Sequence, residues 1–101
     1  MNYKKNIEDN LNIKLNEKEY TKRKYLNYLS SLKEHSEVII PDEDIISKID
    51  NNEQGSVIEY AIEKSGGDSS DINMEEIDLF VKRINNGYNL IKYIEEVKQD
   101  N

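Results

Sequence analysis

The chain has no cysteine and no tryptophan, one proline, one phenylalanine, one histidine and four glycines. Without cysteine there is neither a disulfide framework nor a thiolate metal site. Any serine–histidine pair would have to use His35, which falls at the end of an expected helix, where an imidazole interacts with the last carbonyls. Zinc would need several ligands that the chain lacks. No stretch approaches the roughly 20 apolar residues of a membrane span. No apolar run follows Met1–Asn6 of the kind a secretory signal needs, so the expected location is the cytoplasm.

What remains is 101 residues, enough for a single domain over 1–101 with one core. Apolar residues make up 36% and charged residues 35%. That is polar for a globular protein, but the apolar residues recur periodically, which argues for folding over disorder. Asn, Ile, Lys, Glu and Tyr are abundant while Ala and Arg are scarce. An A+T-rich coding sequence produces this bias, and it lowers the weight of any single Lys or Asn.

The net charge of −7 is unevenly placed. Residues 1–33 hold eight Lys/Arg against four Asp/Glu, a surplus of +4. Residues 34–78 hold Lys48 and Lys64 against fourteen acids, a balance of −12. The last stretch, 79–101, carries +1. A basic first third therefore precedes a strongly acidic centre.

Helix starts are the most legible local signals. Asn16-Glu17-Lys18-Glu19 forms a capping box, with Leu15 and Tyr20 at staple spacing, and predicts a helix running to about His35. Asn73-Met74-Glu75-Glu76 repeats the device, with Ile72 and Ile77 as the staple and Ile77, Phe80, Val81 and Ile84 as the apolar stripe. Ser56-Val57-Ile58-Glu59 predicts a third start, and Ser65-Gly66-Gly67 a stop closed by a left-handed glycine. Asp42-Glu43-Asp44 loads acid onto the start of a helix carrying Ile45, Ile46 and Ile49. Ile84, Tyr88, Ile91 and Ile94 keep helical phase across Asn85-Asn86-Gly87, and Ile77 and Ile91 are expected in the core. A glycine costs about 1 kcal/mol in a helix interior, so a break or kink is expected at Gly87. Residues 2–15 read equally as helix (Tyr3, Ile7, Leu11) or strand (Leu11, Ile13, Leu15). The expectation is a mainly all-α fold, a compact bundle of about five short helices. Within it, 37–40 forms a short strand or a buried crossover ending at Pro41.

No catalytic pattern survives inspection. The dense acids of Asp68–Asp78 invite a test as a calcium loop, but Glu76 stands where that loop turns on glycine and Lys82 where it needs a bidentate Glu. Ser65-Gly66-Gly67-Asp68 lacks the Lys and glycine spacing of a phosphate loop. Glu75-Glu76 and Glu95-Glu96 are adjacent pairs, splayed about a helix. A non-enzymatic protein without cofactor or metal is expected. Lys22-Arg23-Lys24 among Tyr20, Tyr25 and Tyr28 has the composition of a nucleic-acid patch. The acidic whole-chain charge opposes phosphate binding, so nucleic acid is not the expected partner.

Val38-Ile39-Ile40-Pro41-Asp42-Glu43, then Ile45-Ile46-Ser47-Lys48-Ile49-Asp50, then Gly55-Ser56-Val57-Ile58-Glu59-Tyr60-Ala61-Ile62 resembles the ribbon-helix-helix family over residues 37–64. The resemblance implies a dimer that inserts paired strands into the DNA major groove, as an autoregulator or antitoxin. The strand here would present no Arg, Lys, Asn or Gln to read bases.

The favoured expectation is a small acidic inhibitor or adaptor docking on a basic protein surface, such as a nuclease or a nucleic-acid-handling complex. Asp42, Glu43, Asp44, Asp50, Glu53, Glu59 and Glu63 would supply spaced carboxylates resembling a phosphate array, a DNA mimic. Immunity proteins, antitoxins and phage-encoded anti-defence proteins share this physical profile. The alternatives are the ribbon-helix-helix regulator and a structural subunit whose acidic centre docks on its own basic third. Oligomeric state is open, a dimer included.

Overall fold

A computed structural model describes residues 2–66 and 73–99. Among these residues there are five α-helices and no strand: α1 (Tyr3–Leu11), α2 (Lys22–Ser31), α3 (Glu43–Asp50), α4 (Gln54–Lys64) and α5 (Met74–Gln99). Two 3-10 turns, Glu17–Glu19 and Leu32–Glu34, flank α2.

The ambiguous N-terminal segment is a helix. The Asn2 side chain caps it by accepting from the Lys5 amide, and Asn12 closes it in the left-handed conformation (φ 54°). Ile7 and Leu11 point into the core, and Leu15 follows them beyond the helix end. The helix expected from Asn16 to His35 is in fact interrupted. Asn16 caps only a 3-10 turn; Tyr20 is then extended, and Thr21 starts α2 by accepting from the Lys24 amide. Two side-chain contacts accompany the interruption. Glu17 leaves the turn to accept from the Tyr93 hydroxyl at 3.0 Å, and the Tyr20 ring lies parallel to Tyr28 at 6.0 Å. Helix α4 begins two residues earlier than Ser56, at Gln54, and closes where expected, with Gly66 at φ 71°. The α5 start is also as read, Asn73 accepting from the Glu75 amide at 3.0 Å. Ile72, Gly67, Asp68 and Asp71 lie outside the described residues.

Helix α5 serves as a spine about 39 Å long at 1.5 Å per residue, in a molecule 49 Å in its longest dimension. Its C-terminal half packs Leu90, Tyr93, Ile94 and Val97 against Ile7 and Leu11 of α1 and Tyr25 and Leu29 of α2, forming a first core. Its N-terminal half packs Ile77 and Ile84 against Ile45 of α3 and Val57, Tyr60 and Ala61 of α4, forming a second. Ile91, expected in the core, is only half-buried. The first core contains a buried polar chain: the Tyr25 and Tyr93 hydroxyls share a hydrogen bond of 2.7 Å, and Tyr93 passes its proton toward Glu17. Burial pushes the Tyr93 hydroxyl far above the ordinary tyrosine value, and its bonds to Tyr25 and Glu17 push the same way, so it stays a donor.

The two cores meet at the middle of α5, where 37–41 crosses as an extended strap. Val38 and Ile40 join the first core while Ile39 joins the second, the alternation an extended chain imposes. The strap is the buried crossover, not the strand. The Ile39 amide donates to the Arg83 carbonyl at 3.1 Å, and Asn86 donates its side-chain amide to the Glu37 carbonyl at 2.9 Å. Gly87 lies directly beneath. A Cβ there would fall 1.9 Å from the Ile39 carbonyl oxygen and 2.7 Å from its carbon, so the glycine exists for close approach. The expected break is absent: α5 is one continuous helix through Gly87 to Gln99. Replacing a mid-helix glycine by alanine ordinarily stabilises by about 1 kcal/mol. Gly87→Ala is expected to do the reverse, destabilising by about 2–3 kcal/mol or more because backbone must move, as read from the shift of the urea midpoint.

Candidate functional site

The second lobe carries the acidic centre. Helix α3 begins at the exposed acids Glu43 and Asp44, preceded by Asp42, and the macrodipole favours acid at this end. On α4, Val57, Tyr60 and Ala61 turn inward, which leaves Glu59 and Glu63 on the exposed side one turn apart. Their i, i+4 spacing sets them about 6 Å apart along the axis. Glu75, Glu76 and Asp78 add three exposed carboxylates at the start of α5. These last three are not among the carboxylates expected to contact a partner, although the acid density of 34–78 includes them.

Five of the seven carboxylates proposed for partner contact (Asp42, Glu43, Asp44, Glu59 and Glu63) are exposed and form no ion pair with the described residues. The other two are engaged within the chain. Glu53 lies 3.8 Å from Lys48, an exposed pair worth little. Asp50 accepts from the Tyr88 hydroxyl at 2.5 Å and from Lys92 at 3.1 Å, and Lys92 also lies over the Tyr88 ring. This cluster ties the end of α3 to α5 and is structural in form. Nothing local in the sequence signals it, because its members stand about forty positions apart.

The Tyr88 hydroxyl holds the Asp50 carboxyl below its ordinary value; partial desolvation opposes this, and Lys92 adds to the lowering. The same contacts raise Lys92, with its bond to Asp50 as the leading cause. Burial, then the bond to Asp50, raises Tyr88.

Among the described residues no ion pair joins the basic first third to the acidic lobe. Arg23 and Lys24 are exposed and form no ion pair with it among the described residues, and Lys22 donates to the Lys98 carbonyl at 3.1 Å. Tyr25, from the same patch, is buried in the first core. The ribbon expected of 37–40 is not available either, since the Ile39 amide and the Glu37 carbonyl are both committed to α5. Among the described residues no cluster of three or more metal-ligating side chains occurs, and no helix is long and apolar enough to cross a membrane.

Comparison with known proteins finds no matching family, no similar curated protein and no similar solved structure.

Asp50 gives a pH prediction with a definite sign. A carboxyl whose folded value is depressed contributes stability above its unfolded value, near 4, and loses it as pH falls through the folded value. The urea midpoint is expected to fall between pH 5 and pH 2.5, and Asp50→Asn is expected to flatten that dependence. An unchanged profile in the variant contradicts the assignment.

Proposed function

We propose that this chain is a small acidic protein-binding module, an inhibitor or adaptor that docks its second lobe on a basic protein surface. A nuclease or another nucleic-acid-handling protein has the required chemistry, because its cationic surface is built to hold phosphates. Immunity proteins, antitoxins and anti-defence proteins of phage work on this physical principle.

One observation supports the reading above the others: eight exposed carboxylates on one lobe have no cationic partner among the described residues. They are Asp42, Glu43, Asp44, Glu59, Glu63, Glu75, Glu76 and Asp78. Such a set repels itself and costs stability in the free protein. A cationic partner relieves that repulsion on docking, so charge adds to specificity and encounter rate while apolar contacts set the lifetime. Asp50 and Glu53 are left out of the proposed surface because they are engaged by Tyr88, Lys92 and Lys48.

The test is capture of a partner from the source cells by the immobilised chain, followed by kinetics with the purified protein. The captured protein is expected to be basic. Neutralising Asp42, Glu43, Asp44, Glu59 and Glu63 to Asn or Gln is expected to slow association about tenfold or more at low salt, an effect that fades toward the screened regime at high ionic strength. Arg23→Gln with Lys24→Gln is expected to change little. Unaltered association in the neutralised variant contradicts the reading, as does a partner whose contact surface is acidic.

A further inference from the structure

A cleft of about 430 Å³ opens between the start of α1, the turn joining α3 to α4, and the middle of α5. It lies where the two lobes meet, a position that ligand sites favour. Its lining is a convergence of carboxamides, Asn6, Asn52, Gln54 and Asn85, with the Asp50 carboxylate and the Tyr3 ring.

Asn85 is a helix-interior asparagine whose side chain no described protein group engages. Asparagine is a poor helix-interior residue, and three of them sit together in the middle of α5. Asn86 donates its amide to the Glu37 carbonyl while its Oδ1 is buried without a partner, and Asn89 bonds both Asn6 and the Asn85 carbonyl. The half-buried Asn85 side chain bonds nothing within the described protein and lines the cleft. Local rules broken without a structural return concentrate at functional positions. Asn52 and Gln54 likewise bring carboxamides without internal side-chain partners, and Asn6 keeps its Oδ1 after donating Nδ2 to Asn89.

The lining decides the ligand by exclusion. No lysine or arginine lines the cleft, and Lys92 beside Asp50 is already held by that carboxylate, so an anion finds no counter-charge. Ile49 is the sole aliphatic side chain beside the Tyr3 and Tyr88 rings, so a purely apolar ligand would leave the amides and the carboxylate unpaired. The Asp50 charge, which would attract a cation, is balanced by Lys92 at 3.1 Å, so the lining suits an uncharged ligand that offers donors and acceptors in alternation. Each carboxamide presents two N–H donors and one oxygen acceptor, and Asp50 keeps lone pairs beyond those used by Tyr88 and Lys92. We propose that this cleft binds a neutral pyranose sugar, its hydroxyls bonded by Asn6, Asn52, Gln54, Asn85 and Asp50, and one apolar ring face against Tyr3. This site is independent of the acidic surface, so either proposal stands or falls alone.

The experiment is a two-dimensional NMR titration of the folded chain with glucose, with N-acetylglucosamine, and with adenosine as a heterocyclic comparison. Saturable shifts are expected with a sugar, concentrated on the side-chain amides of Asn6, Asn52, Gln54 and Asn85. Asn85→Ala, which removes no internal bond of that side chain, is expected to keep its helix content and lose affinity at least tenfold. If it fails to fold, Gln54→Ala, on an exposed position, carries the same expectation. No saturable shift with either sugar, shifts with adenosine alone, or undiminished affinity in the folded variant overturns the proposal.

Discussion

The structure depends on one close crossing, in which the strap 37–41 lies on α5 at Gly87. An extended chain can approach a helix backbone this nearly only where no Cβ intervenes, and any Cβ at 87 would collide with the Ile39 carbonyl. Around that point the Ile39 amide donates to the Arg83 carbonyl and the Asn86 side-chain amide to the Glu37 carbonyl, while Asn86 Oδ1 and Arg83 Nε are buried without a hydrogen-bond partner among the described residues. The strap alternates its side chains between the two cores and so joins them. Without this contact, two clusters of modest size would share only a helix.

The same crossing gives the charge pattern its shape. Beyond the strap the chain builds α3 and α4, and their outer faces carry carboxylates that no lysine of the first lobe reaches among the described residues. Among the described residues the acidic lobe is thus an unneutralised surface, the one proposed to dock on a basic protein. The Asp50–Tyr88–Lys92 cluster differs in kind: it uses charge inside the fold, where the Tyr88 hydroxyl and Lys92 favour the ionised carboxylate.

Local chemistry made part of this legible in the sequence. The Asn73 start, the Gly66 stop and the acidic entry to α3 each follow from groups a few residues apart, and the five-helix all-α architecture follows from them. What escaped depends on distant partners. Asn16 satisfies the capping pattern, yet Glu17 is drawn to Tyr93 and Tyr20 to Tyr28, and the helix restarts at Thr21. Gly87 reads locally as a weak point in a helix; only the strap, 46 positions earlier at Pro41, shows why it is there. Asp50 stood in the same acid run as its neighbours, and nothing within that run distinguishes a carboxylate held by Tyr88 and Lys92 from one facing water. Asp42, Glu43, Asp44, Glu59 and Glu63 were read from the acid density of 34–78, and all five side chains are exposed.

The crossing is tested most directly by hydrogen exchange at the single amide of Ile39. It is expected to exchange slowly, on the scale of the middle of α5, because it is bonded to the Arg83 carbonyl beneath a buried strap. Exchange as fast as that of an open loop, while the α5 amides stay protected, would show that the strap is not held on the helix and would remove the basis of the two-lobed arrangement.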